Sequence, residues 1–148
     1  QQQQQQQQPS LLDATKEKRG GFGVRLIWFH HIKSLTKRKA IVASARELRL
    51  AGFCKPGFPG LVCCEGDEEA CASFVAAIRA LRWQAMDVRW QHTSPSAPRR
   101  AAPLPEPFRE LSEGAMGEAA ALCEGAGWHG AFREAVLKLS AASTSVGG

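Results

Sequence analysis

The stretch FHHIKSLTKRK, from Phe29 to Lys39, gathers the residue types most able to do chemistry: His30, His31, Lys33, Lys37, Arg38 and Lys39. Imidazoles bind metals, move protons, stack on bases or donate to phosphates. His30 and His31 are neighbours on a predicted strand, so they project to opposite faces and do not easily share one metal. No Cys, Asp or Glu nearby offers ligand spacing. The pattern therefore suits either packed, hydrogen-bonded histidines or contact with a base or phosphate.

Lys37, Arg38 and Lys39 open a predicted helix, where cations oppose the helix dipole by about 0.3–1 kcal/mol per charge. A phosphate at that helix start would relieve the conflict, because free N–H groups and cations both attract it. Alternatively, the three side chains spread into water, screened over about 8–10 Å at cellular salt. Arg89 adds a cation on the last predicted strand. The candidate nucleic-acid contacts are thus His30, His31, Lys33, Lys37, Arg38, Lys39 and Arg89.

Other chemistry is sparse. The acids Glu65, Asp67, Glu68 and Glu69 suggest a divalent cation, but a capped helix start accounts for them. There is no G-x-S-x-G, no G-x-x-x-x-G-K and no H-E-x-x-H. The expectation is a noncatalytic chain without metal or cofactor. Cys54, Cys63, Cys64, Cys71 and Cys123 include no C-x-x-C pair and read as buried small residues in a reducing compartment.

The elements that must position these residues follow from periodicity. Val24 to His31 has two largely apolar faces, as a central strand does. Leu35 to Leu50 reads as a helix capped by Ser34 or Thr36, with Gly52 ending it. AGFCK and LVCCE read as a hairpin around the turn KPGFPG. Asp67 caps a second helix, Glu68 to Arg82, whose apolar face holds Cys71, Phe74, Val75, Ile78 and Leu81. Met86 to His92 alternates, with Met86, Val88 and Trp90 on one side and Asp87, Arg89 and Gln91 on an open one. The order βαββαβ predicts an α+β, ferredoxin-like sheet with two helices on one face.

Five prolines mark 93–107 as a loop, and 108–140 is expected as an appended helical extension of the same domain. The ferredoxin-like domain is placed at 22–92, a disordered tail at 141–148, and a disordered leader at 1–21, headed by eight glutamines. Beginning at Gln1 rather than methionine, the chain is expected to be a fragment.

Charge is uneven. Residues 14–60 hold eleven Lys/Arg against Glu17 and Glu47, whereas residues 101–148 hold six acids against three bases. A basic half suggests an anionic partner; a merely uneven surface is the plainer explanation. No apolar run approaches the roughly 18 residues of a membrane span, and no leader resembles a signal peptide. A nuclear or cytoplasmic location, with no membrane partner, is expected.

The segments FHHIKSLTKRKAIVASARELRLAGFCKPGFPGLVCCEG and FVAAIRALRW resemble the domain that follows the RWD domain in RWD-domain-containing protein two. That domain is related to the C-terminal domain of the spliceosomal pre-mRNA-processing factor three. The resemblance rests on His30-His31-Ile32, Lys37-Arg38-Lys39, Glu47-Leu48, Leu50, Gly52-Phe53, Pro56-Gly57, Pro59-Gly60, Glu65-Gly66 and Leu81-x-Trp83. LCEGAGWHGAFREAVL resembles the same family's end, so coverage is about residues 24–140. It implies a ferredoxin-like fold and, by likeness to the splicing factor, binding of small nuclear RNA where a duplex meets a single strand. The resemblance leads one to expect an RWD domain upstream, where this sequence has the glutamine tract. The expected partners are structured RNA or a ribonucleoprotein. The alternative is an adaptor that meets proteins through the open sheet or the C-terminal helices.

Overall fold

The computed structural model describes residues 21–100 and 102–137; the glutamine tract and the final tail lie outside them. In chain order they form β1 (Phe22–Phe29), α1 (Leu35–Glu47), β2 (Ala51–Lys55), β3 (Gly60–Asp67), α2 (Glu68–Arg79), β4 (Met86–Ser94), β5 (Arg109–Glu110) and α3 (Met116–Gly125). A further helical stretch, α4, covers 129–137. The sheet order is β4-β1-β3-β2-β5. β1 lies antiparallel between β3 and β4, and β3 pairs antiparallel with β2. This is the split βαβ arrangement of a ferredoxin-like α+β fold.

Alternation along the strands divides the core. Ile27, Phe29, Cys54, Val62 and Cys64 face α1 and α2, where Ile41, Ala45, Cys71, Phe74 and Ile78 meet them. Val24, Leu26, Phe53, Leu61 and Cys63 face the other way, onto Leu111, Ala119, Cys123, Trp128 and Phe132. The C-terminal extension therefore covers the face that the strand pattern left open. Each large side chain so buried contributes about 1.5–3 kcal/mol.

The starts of α1 and α2 are capped as their sequences predict. The Lys37 amide donates to Ser34 Oγ at 3.2 Å, and the Ala70 amide donates to Asp67 Oδ2 at 3.1 Å. The first helix ends at Glu47, short of the expected Leu50. Arg49 takes a left-handed φ of 59°, and the Leu50 amide reaches back to the Ala45 carbonyl. Gly52 is not the helix stop; it lies inside β2.

Three other expectations are corrected. The register of β4 against β1 shifts between Leu26 and Ile27, so Val88 pairs with Ile27 while Trp90 pairs with Leu26. The extra residue at Arg89 rotates the strand, and Val88 and Trp90 pack on opposite sides of the sheet. The weak helix expected from Phe108 begins instead with β5, parallel to β2. Glu65 belongs to no helix start: it is a buried residue of β3.

Glu68, the first residue of α2, sets a pH dependence. Glu68 accepts from Arg25 through both oxygens, at 3.0 and 2.5 Å, and from Thr93 Oγ1 at 3.1 Å. The Arg25 guanidinium holds the Glu68 carboxyl below its usual range. A carboxyl depressed in the fold adds stability that is complete above its unfolded pKa, about 4.3, and is lost as pH falls through the folded value. Stability measured by urea denaturation should therefore fall below about pH 4–5. In Glu68→Gln part of that acid dependence should vanish. An unchanged pH profile in the variant would contradict the linkage.

Candidate nucleic-acid interface

β1 ends, α1 begins and the β2–β3 turn closes at one end of the sheet. The link is direct: the Ile32 and Gly57 backbones exchange hydrogen bonds at 3.0 and 2.8 Å. The His30 amide donates to Ala85 at 3.2 Å, bringing the segment before β4 to the same end. Lys55, whose side chain is buried, donates through Nζ to the carbonyls of Pro56 and Pro59, both at 2.9 Å, and fixes the turn. Burial lowers the pKa of that amine.

The turn presents Phe58, which is 60% exposed. His30 and His31 stand beside its ring, with centroids 5.2 and 5.1 Å away, and the two imidazoles are 5.3 Å apart. Lys33 Nζ lies 4.7 Å over the Phe58 ring. His31 Nδ1 is buried and has no hydrogen-bond partner among the described residues. Sequence reasoning places the histidines on opposite faces of a continuing strand. β1 ends at Phe29, so they are free to converge on Phe58. Sequence reasoning misses Phe58 itself; its signal is an aromatic between Gly57 and Pro59 in an otherwise spacer-like turn.

The basic first turn of α1 has a different explanation for each residue. Lys37 Nζ donates to the Arg82 carbonyl and lies 4.6 Å over the Trp83 ring. Arg38 holds Glu110 through two bonds, 2.8 and 2.9 Å, tying β5 to the helix and depressing the Glu110 carboxyl. Lys39 is exposed. So the dipole conflict is partly answered inside the fold: Glu110 supplies an anion near the helix start. Arg82, whose backbone carbonyl takes the Lys37 ammonium, is exposed and is a cation that sequence reasoning does not include.

Arg89 does not sit on an open sheet surface. Its guanidinium lies 4.0 Å over Trp28, donates to the Ala135 carbonyl at 3.0 Å and pairs with Asp87 at 3.2 Å. It fastens α4 to the sheet. This end of the sheet thus gathers His30, His31 and Lys33 at Phe58 and sets Lys37 over Trp83, leaving Arg38 in a structural pair and Arg89 under the C-terminal cover.

A cleft of about 510 Å³ opens around Gly66 and Asp67, lined by Phe22, Arg49, Glu65, Asp67, Arg100 and Pro103 among others. Its central charges neutralise each other: Glu65 takes both Arg100 nitrogens, the Trp128 indole N–H at 2.8 Å and the Leu104 amide at 3.4 Å. Among the described residues, no three His, Cys, Asp or Glu side chains gather as a metal site requires. No helix there is long and apolar enough to cross a membrane.

Topology and site define a ferredoxin-like domain with an aromatic-bearing end, where Lys33 and Lys37 lie over Phe58 and Trp83, and a C-terminal helical cover. Residues 25–134 match the family model described as the small nuclear ribonucleoprotein Prp3 C-terminal domain, and the chain belongs to that family. Among solved structures, BlrP1 BLUF is similar at 17% identity and TM-score 0.50, covering 70% of this chain and 77% of its own. Acylphosphatases from Bacillus subtilis and Coxiella burnetii share 20% and 16% identity. Their TM-scores are 0.45 and 0.40, and they cover 61% and 64% of this chain and 98% of their own lengths. At these identities the likeness concerns the fold alone.

Proposed function

We propose that the chain is a noncatalytic RNA-binding module of a nuclear ribonucleoprotein, working through the basic end of its sheet. The observation that carries this reading is the clustering of Lys33, His30 and His31 at Phe58, with Lys37 over Trp83 at the same end of the sheet. Family membership supports a ribonucleoprotein setting, since the family description names a small nuclear ribonucleoprotein. The more detailed likeness to the RWD-linked branch rests on the matched motifs and is part of the same proposal. The adaptor alternative loses one of its surfaces, because the second sheet face is covered by the chain itself.

The test is salt-dependent binding. The full chain should bind a structured RNA with affinity that falls steeply between two salt concentrations as counterions are released. The variant Lys33→Gln/Lys39→Gln/Arg82→Gln should bind more weakly, with the slope of log affinity against log salt flattened by about one unit for each phosphate no longer neutralised. Arg133→Ala, at an exposed position in α4, should change neither. Wild-type-like binding by the triple variant would refute this interface. Arg38 is left out because its loss would free Glu110 and disturb β5.

A further inference from the structure

We infer that Phe58, flanked by His30 and His31, is the seat on which one unpaired nucleobase stacks. The inference rests on the RNA-binding reading above and assigns a role to a residue outside its cationic set. A single exposed apolar side chain is ordinary. Phe58 differs in being held still. Gly57, at φ 96°, is bonded both ways to Ile32, and Lys55 grips the carbonyls before and after the ring. A ring fixed in advance loses little freedom when a ligand stacks on it.

The surroundings suit a nucleotide. A base has a flat π-face for Phe58 and a polar edge. His31, beside that ring, keeps Nδ1 buried and unpartnered among the described residues, and rotation of the imidazole would offer that atom to such an edge. Lys33, now over the ring, has the reach and charge to take the attached phosphate instead. Glu113 lies against Gly57 and disfavours a phosphate on its own flank. An aromatic side chain of a protein partner would use the ring but not the cations.

The experiment uses the full chain and three RNA probes: a short single strand, the same strand with abasic sites, and a blunt duplex. Affinities are read by fluorescence anisotropy for wild type, Phe58→Leu and Phe58→Trp. Phe58→Leu should lose about 10-fold or more on the single strand, and Phe58→Trp should keep wild-type affinity. The blunt duplex should bind all three proteins alike, and the salt slope should not change. The abasic strand should bind wild type and Phe58→Leu equally. Unchanged single-strand affinity in Phe58→Leu, or an equal loss on all three probes, would overturn the stacking seat while leaving the cationic interface standing. Absence of binding by wild type to every probe would overturn both.

Discussion

Replacing Glu65 by alanine should cost about 3–5 kcal/mol, a large part of what holds a domain of this size. The carboxylate is 3% exposed and gathers groups from three places in the chain. Arg100 comes from the proline-rich loop, Trp128 from the turn before α4, and the Leu104 amide from the segment approaching β5. Arg100 also lies 5.3 Å over Phe22 and 5.6 Å over Trp128. Without Glu65 the guanidinium keeps its charge, loses its anion and stays largely enclosed, which is the costly way to break a buried pair. Glu65→Gln keeps the volume and can still accept from Trp128, so its cost should be smaller, about 2 kcal/mol. Urea denaturation followed by tryptophan fluorescence measures both. A loss below about 1 kcal/mol in Glu65→Ala would mean that the cover is held by its apolar packing alone.

Gly52→Ala should be as severe. Gly52 has φ 145°, and a Cβ there would overlap the Cys63 carbonyl oxygen and fall 2.9 Å from the Cys64 Cα. These are backbone atoms of the paired strand β3, so no side chain can turn aside. The strained dihedral costs about 1–3 kcal/mol. Separating two hydrogen-bonded strands adds at least as much. The expected result is a variant that is insoluble or unfolded at room temperature, seen by circular dichroism. A melting temperature within a few degrees of wild type would show that β2 can shift its register freely.

The element order was legible because period-2 and period-3.6 patterns are local. Val24 to Phe29, Cys71 to Ile78 and the turn KPGFPG each announce themselves within a dozen residues. Caps were legible for the same reason, as Ser34 and Asp67 show. The β4 register was not, because strict alternation has no mark for an inserted residue and so assigns Trp90 to the wrong side. β5 has two residues and no period at all. Glu65 is opaque in the sequence because its charged partner Arg100 and its indole donor Trp128 lie 35 and 63 residues away. The basic cluster was legible as unusual. That Arg38 belongs to Glu110, 72 residues on, needed the fold.

The adjacent cysteines of β3 give the molecule two internal clocks. Cys63 and Cys123, 4.0 Å apart through their sulfurs, lie in the layer between the sheet and the C-terminal cover, while Cys54, Cys64 and Cys71 lie in the layer between the sheet and the α1–α2 pair. All five are buried and free. Burial pushes the Cys54 thiol up to about 12 and holds Cys63 well above the ordinary range, while a hydrogen bond with Cys71, together with burial, does the same for Cys64. Such thiols are inert while the fold is closed. An alkylating reagent therefore reads opening events rather than intrinsic reactivity. Because the two sets sit on opposite faces, the order in which they are modified records which layer leaves the sheet first.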